Sequence, residues 1–144
     1  MTANVRYDVD ELSFEVPDGF VDQSTNLLIP TSPAGKNANI IITREPRTDA
    51  TLAQQVVGSL TAAAEKVPGL RVLGHREREV GTVPAYEART HSVLNKVPTY
   101  QRQLYFSWYG TLLAVTVSTA RGQSAYCDTL IEKLASTFRL RKKA

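Results

Sequence analysis

Between residues 99 and 109, large and small or polar side chains alternate without a break. In strand phase, Tyr100, Arg102, Leu104, Phe106 and Trp108 fall on one side, and Gln101, Gln103, Tyr105, Ser107 and Tyr109 on the other. The run 112–119 continues the pattern, with Leu113, Val115 and Val117 against Ala114, Thr116 and Ser118. A third long strand is predicted at 83–93. Asn95-Lys96-Val97-Pro98 and Tyr109-Gly110-Thr111 are turn chemistry, so the three strands are joined by short turns and pair antiparallel.

Upstream, Leu12, Phe14 and Val16 alternate with Ser13 and Glu15, and Pro17-Asp18-Gly19 closes that strand. Residues 4–8 and 11–16 read as a strand pair or one bent strand. Further strands are expected at 24–29 and 39–44, around a turn-rich loop at 31–37. Both carry aliphatic residues on both faces, so each needs cover on both sides or leaves one face to a partner. A helix starts near Thr51, where Thr51 and Gln54 fit a capping box. Leu52, Val56, Leu60, Ala63 and Val67 make its apolar stripe, and Pro68-Gly69 ends it. A strand at 70–79 follows, in which Arg76-Glu77-Arg78-Glu79 reads as a solvated edge. A last helix spans 123–137, with Cys127, Leu130, Ile131, Leu134 and Phe138 as its stripe.

The order ββββ-α-ββββ-α predicts an α+β layered domain, an antiparallel sheet with two helices packed on one face. Leu28, Ile40 and Ile42 join the bulky set of 99–109 beneath the helices. The other face is then built from small, hydroxyl and amide side chains, to which Thr25, Leu27, Ile29 and Ile41 add aliphatic patches. Such a face either is simply solvated, with its aliphatics in the core, or takes an apolar helix that displays small and polar residues.

A length of 144 residues suits one domain, 1–144, with a single core. The net charge of +3 owes much to Arg139, Arg141, Lys142 and Lys143. That is a short basic tail rather than the broad stripe that nucleic-acid binding requires. One cysteine, Cys127, excludes an intramolecular disulfide. Residues 1–11 lack the apolar region of a secretory signal, and no lipobox-like cysteine follows Met1. No apolar run is long enough to span a bilayer. A cytoplasmic protein with no membrane insertion of its own is expected.

Candidate chemistry is sparse. His75 and His91 each lack a second ligand at metal spacing. Asp8, Asp10 and Glu11 lack the rhythm of a calcium loop and read as a solvated turn. No glycine-rich phosphate loop is present, and neither Ser24 nor Ser107 sits in a nucleophile elbow. Cys127, on a helical apolar stripe, reads as a buried structural thiol, with a reactive thiol as the alternative. The expectation is a protein that is not an enzyme and holds no metal or cofactor.

The run Phe14-x-Val16-Pro17-Asp18-Gly19-Phe20-x-Asp22-Gln23-Ser24-x-Asn26, followed by Ile41-Ile42-Thr43-Arg44, resembles the DcrB-like family. So do Glu65-Lys66-Val67-Pro68-Gly69-Leu70, Gly81-x-x-Pro84-Ala85, Arg102-Gln103-Leu104 and the closing Leu134-Ala135-Ser136-Thr137-Phe138-Arg139. The resemblance covers nearly the whole chain and implies a PsbP-like fold with a curved antiparallel sheet. The cytoplasmic branch of the family includes the Eag chaperones of type VI secretion. The resemblance to them implies a homodimer that holds the N-terminal transmembrane segments of a secretion effector before loading onto the spike. It implies groove positions at Thr25, Leu27 and Ile41 and a strand glutamine at Gln103. The helix glutamine of some relatives falls at Ser59, so its amide is lost, and Thr25 stands where an isoleucine is expected. Ile29, Tyr105 and Ser107 share the predicted face and complete the candidate client-binding set. The alternative is a small regulatory or stress-related interaction module that binds a folded partner.

Overall fold

The structure, a computed structural model, describes residues 6–8, 13–15, 17–18, 25–30 and 38–142. The element order is β1 (Arg6–Asp8), β2 (Ser13–Glu15), β3 (Asn26–Leu28), β4 (Asn39–Pro46), α1 (Leu52–Lys66), β5 (Arg71–Val80), β6 (Val83–Leu94), β7 (Val97–Trp108), β8 (Thr111–Ala120) and α2 (Ser124–Thr137). This is the expected ββββ-α-ββββ-α order. β1 and β2 pair with each other as a separate ribbon, while the rest form a six-stranded antiparallel sheet in the order β3-β4-β8-β7-β6-β5. The loop at 31–37, the Asp22-Gln23-Ser24 motif, Leu12, Val16, the Asp10 and Glu11 carboxylates and Lys143 lie outside the described residues.

Turn chemistry sets the register of the long strands. Between β7 and β8, Tyr109 and Gly110 take φ of 46° and 78°, and between β6 and β7, Asn95 and Lys96 take 51° and 66°. Two successive left-handed residues make the two-residue hairpin whose twist matches its strands. Val97 and Pro98, expected in the turn, therefore belong to β7, where they face Leu94 and Val93. Gly81, with φ of 62°, begins the β5–β6 turn in the same left-handed region. α1 carries the anticipated capping box: the Thr51 hydroxyl accepts from the Gln54 amide at 3.1 Å, and the Gln54 side chain accepts from the Thr51 amide at 3.0 Å.

The register fixes which side chains share a face. Leu104, Val115 and Ile42 form one cross-strand row, and Arg102, Val117 and Ile40 the next. With Cys127 and Ile131 of α2, the aliphatic residues of these rows build one core. Tyr86, Ala88, Tyr105 and Leu112 point the other way and are buried beneath Val56 and Leu60 of α1. The two helices therefore lie on opposite faces, which corrects the expectation that they share one. The reason is Tyr105, Tyr86 and Leu112: the face read as small and polar carries enough apolar surface at one end to require a helix of its own. α2 packs on β7 and β8, and α1 on β5, β6 and β7.

Lys96 holds a left-handed conformation that glycine adopts at no steric cost. Lys96→Gly is expected to stabilise the protein by about 1 kcal/mol, read as a higher urea midpoint at unchanged slope. A lower midpoint would show that the lysine side chain contributes more than its backbone strain costs.

Candidate functional site

On the α1 side of the sheet, one cross-strand row runs Leu27, Ile41, Thr116, Gln103, Ala88, His75, a single rung across all six strands. Three of the residues singled out by resemblance, Leu27, Ile41 and Gln103, lie on it. Exposure falls along the rung from Leu27 to Ala88 and rises again at His75, which is exposed on the edge strand β5. Leu27 is 62% exposed, Ile41 and Thr116 are half-buried, Gln103 is 7% exposed, and Ala88 is fully enclosed near α1. The face is thus divided: α1 covers its β5–β7 end, and the β3–β4–β8 end is left to amides, hydroxyls and aliphatics.

A polar chain crosses the part of this face that no described helix covers, where Thr90, Ser92, Gln103 and Ser118 are buried. Gln103 Nε2 donates to Thr90 Oγ1 at 3.1 Å, Thr90 Oγ1 donates to Gln101 Oε1 at 3.4 Å, and Gln101 Nε2 donates to Ser118 Oγ at 2.8 Å. Gln103 Oε1, Asn39 Oδ1 and Ser92 Oγ are buried without a hydrogen-bond partner. All three belong to this face by strand parity, Asn39 opposite Ser118 and Ser92 opposite Thr99. A buried acceptor left without a donor costs about 1–3 kcal/mol, so a ligand that brings a donor gains that penalty back.

The remaining predicted residues are placed as follows. Ile29 is 70% exposed and Thr25 is also exposed; both flank β3 outside its paired residues, and Ile29 borders a pocket with Leu28, Ile40 and, from α2, Tyr126 and Leu130. Ser59 stands on α1 and donates to Glu45 of β4 at 3.4 Å, so α1 forms one wall of the uncovered face and β3 its outer rim. Tyr105 lies on the expected face, but its ring is enclosed beneath α1, where burial first and Glu45 second push its hydroxyl pKa up to about 12. Ser107 is exposed at the far end of β7, opposite Leu112. Leu27, Ile41 and Gln103 therefore share the α1-side face, with Ser59 at its edge on α1, while Thr25 and Ile29 lie at the β3 margin and Ile29 turns up beside α2. Tyr105 supports α1, and Ser107 sits beyond the helix.

Beneath α2, sequence reasoning missed a network. Arg102 reaches Asp128 at 2.9 Å, Glu87 at 3.2 Å and Glu132 at 3.3 Å. Arg78 bridges Glu87 and Glu132, both at 2.9 Å, Arg76 pairs with Glu87, and Tyr100 donates to Asp128 at 2.7 Å. Arg76 and Arg78 share one side of β5; Arg76, Glu77 and Glu79 are exposed as a solvated edge requires, and Arg78 alone is drawn inward, its side chain 18% exposed. The available signal was Arg102 itself: an arginine between Tyr100 and Leu104 on a buried face demands acids. Asp128 and Glu132 stand one turn apart on α2 to supply them.

Burial works against the charge of Glu87, but hydrogen bonds from Arg78 and Arg76 overcome it and hold the carboxyl below its ordinary range. Glu132 is lowered by Arg78, against a smaller burial effect. Burial pushes the Cys127 thiol up to about 11, so it stays protonated and unreactive at neutral pH. Among the described residues no group of histidine, cysteine, aspartate and glutamate can hold a metal ion, and no helix is long and apolar enough to cross a membrane.

The family profile described as DcrB matches residues 11–137. No curated protein matches the sequence. Among solved structures, a Pseudomonas aeruginosa protein of unknown function termed PA94, a putative regulator, superposes with a TM-score of 0.79 at 21% identity, covering 99% of this chain and 100% of that one. Cyanobacterial PsbP from Synechocystis superposes at 0.57 with 13% identity over 98% and 95% of the two chains. The apo type VI secretion immunity protein TplEi of Pseudomonas aeruginosa gives 0.56 at 13% identity, over 100% of this chain and 52% of its own. The fold is PsbP-like, α+β with a six-stranded antiparallel sheet and two helices.

Both lowered carboxyls contribute stability that is present above the unfolded pKa, about 4.3, and is lost as pH falls through their lower folded values. Stability should be level from neutrality down to that range and drop below it, and Glu87→Gln should flatten the drop. Arg102→Ala should cost about 3 kcal/mol at pH 7 in urea denaturation. An unchanged acid limb in Glu87→Gln would show that the network does not govern acid stability.

Proposed function

We propose that this chain, which belongs to the DcrB family, is a chaperone that holds an apolar helical segment of a client protein on the uncovered sheet face between α1 and β3. The client is the N-terminal transmembrane segment of a type VI secretion effector, kept in the cytoplasm until it is loaded onto the secretion spike, and the working form is a homodimer. The observation that carries this reading is the rung Leu27–Ile41–Thr116–Gln103. It sets exposed aliphatics at the rim and a buried, half-satisfied amide at the floor.

The physics suits such a client. A transmembrane helix in water exposes apolar surface along its whole length and aggregates unless covered. Leu27 and Ile41 offer aliphatic contact, each worth about 2 kcal/mol when fully buried. Within membranes, helices pair through small residues and through hydrogen bonds from amides and hydroxyls. Gln103, Gln101, Thr116 and Ser118 present that same set on a sheet. No bond is made or broken, so the action is binding alone. The second reading, a regulatory module for a folded partner, draws on PA94, a putative regulator of the same fold. It requires no apolar peptide.

Leu27→Asp and Ile41→Asp each place a charge in the proposed contact and should reduce effector recovery in co-purification at least tenfold, with thermal unfolding unchanged for the exposed Leu27 site. Gln103→Leu should fold and weaken recovery by a smaller factor. Full recovery of the effector by both aspartate variants, or unchanged effector stability in a deletion strain, would refute the chaperone reading.

A further inference from the structure

A second uncovered area lies on the opposite face, beside α2. A cavity of about 350 Å³ opens there, lined by Gly74, Arg76, Glu87, Arg89 and Arg102 among others. Three arginines line it, Arg76, Arg89 and Arg102, and Arg78 lies next along from Arg76 on the same side of β5. The acids that answer them are three, Glu87, Asp128 and Glu132, and their ion pairs go to Arg76, Arg78 and Arg102. Among the described residues no carboxylate pairs with Arg89.

Arg89 stands directly opposite Arg102 across the β6–β7 ladder. Like charges in that position repel. On its other side Arg89 faces Gly74, next to the register shift in β5. A Cβ on Gly74 would come within 3.3 Å of Arg89 Nη2, so the missing side chain leaves the guanidinium room to lie over the strand. At the inner wall, Arg102 is 7% exposed, and its Nε is buried with no acceptor. Glu87 shows what the arrangement takes, since one carboxylate already sits among three of the arginines.

The geometry points to an oxyanion site on the α2 side of β5, β6 and β7, where Arg89, Arg76 and Arg102 receive a compact phosphate or carboxylate group. The anion sits between the two opposed arginines and offsets their repulsion. Guanidinium donors hold both chemistries in the same forked geometry. The cavity suits a small molecule or a single acidic group, and it is separated from the α1-side surface by the sheet itself.

The test is titration of the purified chain with inorganic phosphate and, separately, with succinate, at low chloride, followed by calorimetry and by amide shifts. Saturable one-to-one binding is expected for at least one probe, with shifts centred on residues 74–76, 87–89 and 102. Saturation by phosphate alone assigns a phosphate-bearing ligand, and by succinate alone a carboxylate. Arg89→Gln, at an exposed position, should weaken binding at least tenfold. Gly74→Val, which displaces the Arg89 guanidinium, should do the same, and Lys96→Gly in the distant turn should change nothing. Failure of both probes to saturate, or binding undiminished in Arg89→Gln, overturns the proposal, whatever the outcome for the client surface.

Discussion

The constraint on which this molecule depends is the mismatch between a six-stranded sheet and one helix per face. Six strands span about 24 Å across their hydrogen-bonding direction. A helix is about 10 Å in diameter and, at 15 residues for α1, about 22 Å long. One helix therefore cannot cover a face. Each must choose its strands, and what it leaves bare must be made tolerable in water. α1 takes the β5–β7 side of one face, and α2 the β7–β8 side of the other. The areas that no described helix covers fall at opposite corners of the sheet.

The two corners are made tolerable in different ways. Beside α2, arginines and acids replace apolar packing and tie the helix to β5 and β7 through Arg78 and Arg102. Arg102 ranks high among the residues that hold α2, because it reaches two turns of the helix at once. Beside α1, amides and hydroxyls fill the floor and aliphatics line the rim. The first corner is cationic and cavity-like. The second is broad, mixed in polarity and edged by β3, which among the described residues pairs on one side only. Such a corner is suited to a long apolar partner rather than to a small ligand.

Much of this was legible in the chain. The period-two pattern of 99–109 and 112–119 sets the faces, and Thr51-x-x-Gln54 marks the start of α1. Turn residues fix the order of the hairpins. Leu27, Ile41 and Gln103 were assigned to one face, and the ladder puts them on one rung. The side taken by each helix was not legible. Tyr105 and Leu112 read as members of a mostly polar face, and alternation does not say how much of a face one aromatic and one leucine oblige a helix to cover. The inward turn of Arg78 was hidden for a related reason. A charged run on an edge strand looks solvated until its acids are known, and those come from β6 and from a helix far along the chain.

The central claim is that the β3–β4–β8 corner beside α1 holds an apolar helix of a partner. The most direct measurement places a photo-crosslinking residue at position 41, and in a second protein at position 76 on the other face, each expressed with the effector. Cross-linked peptides are then sequenced. The account predicts adducts from position 41 to an apolar segment long enough to span a membrane, with none from position 76. Adducts from both positions, or adducts from position 41 to a polar surface of a folded protein, would contradict it.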